Sequence, residues 1–129
     1  WVRQLNVECA DVVNVDNRSA SLWILGLKTE RNGVKIATAR GARTEVLGAH
    51  IYATGPAKTE PLFRSVDAEV SYAGVAESCF NRNNYGIWVE ETRGGVTRRL
   101  ASSNVAARTS ANGRAMDLYC GFTRFPASP

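Results

Sequence analysis

Ser21-Leu22-Trp23-Ile24-Leu25-Gly26-Leu27 returns as Arg43-Thr44-Glu45-Val46-Leu47-Gly48-Ala49. Ile24 and Val46 stand 22 residues apart. A third copy, Asp67-Ala68-Glu69-Val70-Ser71-Tyr72-Ala73, follows about 24 residues later without the Leu-Gly pair. A strand of four to seven residues cannot bury one face alone. Stacked on its equivalent about 4.8 Å away, it shares backbone hydrogen bonds and a continuous apolar interior. The repeat therefore predicts an all-β fold: a short parallel β-helix of about three rungs, one turn per repeat. An antiparallel β-sandwich has a similar number of strands, but it has no reason to repeat a Val/Ile-Leu-Gly triplet at one level.

Outward from the repeat, each turn reads as two strands and a bend. The first runs from about Ala10 to Glu30, with Val12, Val13 and Val15 in one strand and Leu22 to Leu27 in the next. Asp16-Asn17-Arg18-Ser19 and Arg31-Asn32-Gly33 are turns, since Asn and Gly tolerate positive φ. The second turn has strands at Val34–Thr38 and Thr44–Tyr52, bent at Ala39-Arg40-Gly41-Ala42. Gly55 to Pro61, with two prolines, reads as a loop thrown out from the coil. The third takes Leu62-Phe63 and Glu69 to Val75, and Asn81-Arg82-Asn83-Asn84 turns into a last strand at Ile87-Trp88-Val89. Ile24, Val46 and Val70 would form one interior column, and Val13, Ile36, Phe63 and Ile87 a second. Gly26 and Gly48 at one level suggest a tight bend. Residues 1–95 are thus the rungs of a single solenoid domain spanning residues 1–129. Residues 96–129 form an irregular cap, whose apolar alternation from Met116 to Phe125 would lie over the end or along the side.

Charge is unevenly placed. Residues 1–91 carry ten basic and eleven acidic side chains. Residues 92–129 carry six arginines against Asp117 alone. Such an end suits acidic polysaccharide, but no RNA- or DNA-binding signature accompanies it, and it reads as a solvated, partly flexible tail. No apolar run approaches the roughly 18 residues of a membrane helix. Three cysteines without a CxxC spacing allow at most one bridge, and Cys120 in its apolar alternation reads as a buried thiol. One histidine, His50, and scattered cysteines argue against a metal, and no motif calls for a cofactor. A chain opening at Trp1 without Met reads as a piece of a longer protein.

Trp1-Val2-Arg3-Gln4-Leu5-Asn6, Leu22 to Glu30, Thr44-Glu45-Val46-Leu47-Gly48 and Val89-Glu90-Glu91-Thr92-Arg93-Gly94-Gly95 together resemble the C-terminal part of bacterial proteins of the pectate-lyase-like superfamily. Those proteins are right-handed parallel β-helices. The resemblance covers most of residues 1–100 and implies polysaccharide as a partner and an extracellular or cell-surface setting. No calcium-binding Asp cluster or catalytic Arg/Lys of the pectate lyase type matches positions here, so the fold carries over and an activity does not.

Chemistry is sparse. With Trp23, Glu45 and Glu69 aligned at one level, the two carboxyls would stand about 5 Å apart. Retaining glycosidases use that separation, one group as nucleophile and one as acid/base. Glu90-Glu91 cannot act as such a pair, because consecutive strand residues point to opposite faces. Trp23, Tyr72 and Trp88, with Tyr52 and Tyr85, offer flat surfaces for sugar stacking. The sole histidine, with no serine motif, argues against a nucleophilic triad. Asn17-Arg18-Ser19 fits a glycosylation acceptor. The expected function is therefore a non-catalytic terminal piece of a polysaccharide-associated β-helix. It would self-associate through the open rung near Val7 to Val15. The alternatives are a carbohydrate-binding module and, third, a small glycoside-cleaving enzyme using Glu45 and Glu69.

Overall fold

The computed structural model describes residues 1–54, 59–79, 84–108 and 112–121. It is a β-solenoid of about three turns. Two sheets face each other. One holds β1 (Leu5–Val7), β3 (Ser21–Glu30), β5 (Arg43–Ala53) and β7 (Glu69–Cys79) in parallel order. The other holds β2 (Val15–Arg18), β4 (Ile36–Ala39), β6 (Phe63–Val66) and β8 (Ile87–Arg93), also parallel. Each turn runs from a short strand of the second sheet into a long strand of the first.

The long strands are bent, and the bend explains the glycines. Gly26, Gly48 and Gly74 take φ of +97°, +80° and +64° at equivalent places in β3, β5 and β7. Before each bend the inward residues alternate by two, as at Leu22 and Ile24. After it they resume one position late, at Leu27 and Thr29. One residue in the left-handed region shifts the parity and turns the strand a corner, which glycine does without a Cβ penalty. The third repeat thus keeps its glycine, at Gly74, where the sequence reading had lost it.

The interior columns follow from the register. Ile24 pairs with Val46 and Val46 with Tyr72, so Tyr72, not Val70, completes that column. Val70 stands at the level of Leu22 and Thr44 instead. In the second sheet the column is Val15, Ile36, Phe63 and Val89, where the sequence reading had Val13 and Ile87 at its ends. The reason is spacing. The second turn is longer than the first, placing Tyr72 26 residues after Val46. The extra residues fall between β5 and β6. The proposed loop from Gly55 to Pro61 lies there, with residues 55–58 outside those described, as are 81–83 of the expected turn at Asn81-Arg82-Asn83-Asn84. Phe63 stacks on Tyr72 with ring centroids 4.2 Å apart, tying the two sheets together.

The cap is built of antiparallel strands. β9 (Val96–Ala101) doubles back on β8, and β11 (Arg114–Cys120) runs antiparallel to β7, with β10 (Ala106–Ala107) beyond it. β11 follows the corner in β7. Met116 sits inward opposite Val75, and past the bend Tyr119 faces inward opposite Tyr72. That parity shift turns Leu118 and Cys120 outward, so Cys120 is exposed and the buried thiol is Cys79. Residues 122–125 of the expected alternation lie outside the described residues. The arginine-rich end is no loose tail within what is described. Arg93 donates to Ala68 O at 2.8 Å, Arg99 to Glu90 at 2.9 Å and Arg114 to Val105 O at 3.0 Å.

Candidate functional site

The solenoid's outer surface on the first sheet carries residues from every rung in level rows. Val2 bridges to Ile24, which puts Trp1 alongside Trp23. Their rings stack at 4.9 Å and 14°. Trp1 is 82% exposed, so the pair stands on the surface. Trp23 is level with Glu45, and Glu45 with Ser71. Glu69 lies two residues away, opposite Arg43, and its Oε2 accepts from Arg43 Nε at 2.9 Å. The expected alignment of Glu45 with Glu69 is therefore corrected by one step of the pleat. Their Cα atoms lie on a diagonal of about 8 Å, and Glu69 pairs with the arginine of the preceding rung.

The other two aromatics leave the surface. Tyr72 and Trp88 are both 0% exposed, so neither can stack on a sugar. Tyr72 fills the column between Val46 and the cap. Trp88 sits where the β8–β9 ladder shifts register between Ile87 and Val89, and that bulge lets neighbouring Trp88 and Val89 both be buried. Of the expected sugar-stacking residues Trp23, Tyr72 and Trp88, only Trp23 lies outside the core, joined by Trp1. Asn17 also turns inward. Its amide donates to Ala20 O, Arg43 O and Thr44 Oγ1 at 3.1, 3.1 and 2.9 Å, so it is not available as a glycan acceptor. Glu90 and Glu91 do face opposite ways. Glu90 accepts from Arg64 and Arg99 at the surface, while buried Glu91 accepts from the Tyr119 hydroxyl at 2.7 Å.

Beside the tryptophan pair, the glycine corner forms an open groove of about 570 Å³. Gly26 and Gly48 line it, with Arg3, Gln4, Lys28 and His50 at its margins. Glycine leaves the groove shallow-walled: at Gly48 no atom stands within 4 Å of where a Cβ would point. Lys28 is held by the carboxylates of Glu8 and Glu30 and lies over the Tyr52 ring, 5.7 Å from its centroid.

Past the corner the rows bring His50 close to Ser78. His50 is level with Ala76, and Tyr52 with Ser78, on adjacent rungs. His50 Nε2 meets Ser78 Oγ at 2.8 Å. Tyr52 stacks on the imidazole at 4.3 Å. Arg108, from the cap, donates to Glu77 O at 3.1 Å and reaches Ser78 Oγ at 3.4 Å. Burial holds His50 below its ordinary pKa, helped by the charges of Arg108 and Lys28. Sequence reading passed over this group because His50 and Ser78 are 28 residues apart with no motif between them. Their signal was the rung register, which the longer second turn obscured.

No protein-family model, curated protein or solved structure matches the chain. Among the described residues, no cluster of three or more His, Cys, Asp or Glu could hold a metal, and no helix is long and apolar enough to cross a membrane.

Proposed function

We propose that this chain is a terminal piece of a polysaccharide-associated β-helix of the pectate-lyase-like kind, and that its work within that assembly is structural. The observation that carries the reading is the difference between its two ends. At one end, antiparallel β9 and β11 lie along β8 and β7 and break the parallel order. At the other, β1 and β2 are edge strands in parallel register with their neighbours. Val12 and Val13 are exposed near this edge, and Trp1 beside it. An edge with free backbone groups and apolar side chains pairs with another strand. The isolated chain should therefore self-associate through this end. Sedimentation velocity from about 10 μM to 1 mM should show a species above monomer that grows with concentration. Val12→Lys with Val13→Lys should return it to monomer. A wild-type monomer across the whole range overturns the reading.

A second reading, a carbohydrate-binding module, is favoured by the Trp1–Trp23 pair beside a groove edged by Arg3 and Lys28. Flat aromatic faces bind sugar rings and the cations suit uronates. Titrating tryptophan fluorescence with uronic-acid and neutral oligosaccharides tests it. A response lost in Trp23→Ala would place this reading above the structural one, and the absence of any response removes it.

A further inference from the structure

We propose that Ser78, His50 and Arg108 form an acyl-transfer site that cleaves small acyl esters. This goes beyond the structural role above and is independent of it. The argument begins with how the fold assembles three groups that are distant in sequence. His50 comes from β5 and Ser78 from β7, one rung on and two residues along. Arg108 arrives from the cap, just beyond β10. Each is fixed by a second contact. Tyr52 stacks against one face of the imidazole. The Arg108 guanidinium is anchored on the Glu77 carbonyl. Ser78 lies at the end of a strand whose ladder to β5 runs as far as Ala53 and Cys79.

The distances suit the reaction. A base within about 2.6–3.2 Å of a hydroxyl can accept its proton as the oxygen attacks, and Nε2 stands 2.8 Å from Oγ. With its proton on Nδ1, the imidazole presents a lone pair to Ser78. The charged groups facing it are Arg108 and Lys28, both cations, so the ring stays neutral at pH 7 and is able to accept. Lys28 is itself held by Glu8 and Glu30. Arg108 Nη1 donates to the attacking oxygen at 3.4 Å, which puts a fixed positive charge next to the centre where an oxyanion would develop.

In the first half-reaction Oγ bonds to the ester carbonyl carbon and its proton passes to His50 Nε2. The negative charge that develops on the carbonyl oxygen faces Arg108. The bond to the alcohol oxygen then breaks, and that oxygen takes the proton back from Nε2. Water repeats the sequence on the acyl-serine. It gives a proton to Nε2, its oxygen bonds to the acyl carbon, and Oγ leaves with the proton. The products are an alcohol and a carboxylic acid, and no further reactant is needed. Size follows from burial. Ser78 is 5% exposed and the open groove is lined by His50 and not by Ser78, so only a small acyl group, an acetyl rather than a long chain, would reach Oγ.

The test uses the whole chain, with exposed Cys9 and Cys120 alkylated first so that thiols do not contribute. A fluorophosphonate probe should form one adduct, mapped by peptide mass spectrometry to Ser78. His50→Gln retains a hydrogen-bonding partner for Oγ but no base, and it should slow labelling roughly 100-fold with the β-sheet circular dichroism unchanged. The labelling rate should rise with pH and level off with a midpoint below 6.5. Turnover of p-nitrophenyl acetate should fall in step in both His50→Gln and Ser78→Ala. No adduct on the folded wild-type chain, an adduct at any other residue, or equal labelling of His50→Gln overturns the proposal.

Discussion

Lys35 shows how one residue can oppose the fold and also complete it. It has no exposed surface, and its Nζ donates to Glu30 O at 2.7 Å, Asn32 O at 3.2 Å and Asn14 Oδ1 at 3.2 Å. Two of these acceptors are backbone carbonyls where β3 ends and the loop to β4 begins, a place where a turning backbone leaves carbonyls without ladder partners, and the third is the Asn14 side chain just before β2. The cation satisfies them, and burial pushes its pKa down to about 8. The sign of the linkage follows. Between about 8 and the ordinary lysine value the unfolded chain binds more protons than the folded one, so stability rises with pH. Buried Tyr72, Tyr85 and Tyr119 act in the opposite sense, since burial raises all three. Their contribution is lost only as pH climbs past the tyrosine range of about 10. Urea midpoints should therefore increase from pH 8 to about 9.5 and fall at higher pH. Lys35→Met should flatten the increase and leave the fall. An unchanged increase in that variant would refute the assignment.

The long strand with its glycine corner is the unit of construction at the scale of the element. Three strands share one bend, and the ladder resumes beyond it with inward and outward faces exchanged. The conformation sets the cost of substitution here more than space does. At Gly48 a methyl group would meet nothing within 4 Å, yet φ is +80°. Gly48→Ala should thus destabilise by about 1–2 kcal/mol, the penalty for an L-residue in the left-handed region. Gly86 also has open space around it, without the positive φ. Gly86→Ala should stay within about 0.5 kcal/mol of wild type in the same denaturant titration. Equal effects at the two sites would mean that the bend is not what Gly48 supplies.

The whole molecule is held as one body by what crosses between turns and cap. Buried residues from both sheets and Met116 of the cap form one apolar cluster. A polar seam runs beside it through Asn17, Thr38, Thr44 and Ser65 to Glu91, hydrogen-bonded in part through Thr38–Thr44 at 2.9 Å. The cap closes on this seam. Tyr119 donates to Glu91, and Gly121 passes so close that a Cβ would stand 2.9 Å from Glu91 Oε1. Tyr119→Phe should cost about 1–3 kcal/mol in a single cooperative transition, with Gly121→Ala also destabilising because the carboxylate cannot retreat. If Tyr119→Phe instead split the transition in two, the cap would be an independently folding piece.

The sequence alone determined the coil. The Leu-Gly repeat, the turns at Arg31-Asn32-Gly33 and Ala39-Arg40-Gly41-Ala42, and the opposed faces of Glu90 and Glu91 depend on local backbone preference and a two-residue period, which are written residue by residue. Register between rungs is different, because it depends on how many residues each turn spends at its corners. The longer second turn moved Tyr72 under Val46 and took Glu69 away from Glu45. The same shift set Tyr72 in the core and Ser78 against His50, while the pairing of Val2 with Ile24 set Trp1 beside Trp23 and the bulge in the β8–β9 ladder set Trp88 in the core. Those neighbours are 22 to 28 residues apart in the chain, and only hydrogen bonding between stacked strands decides which of them meet.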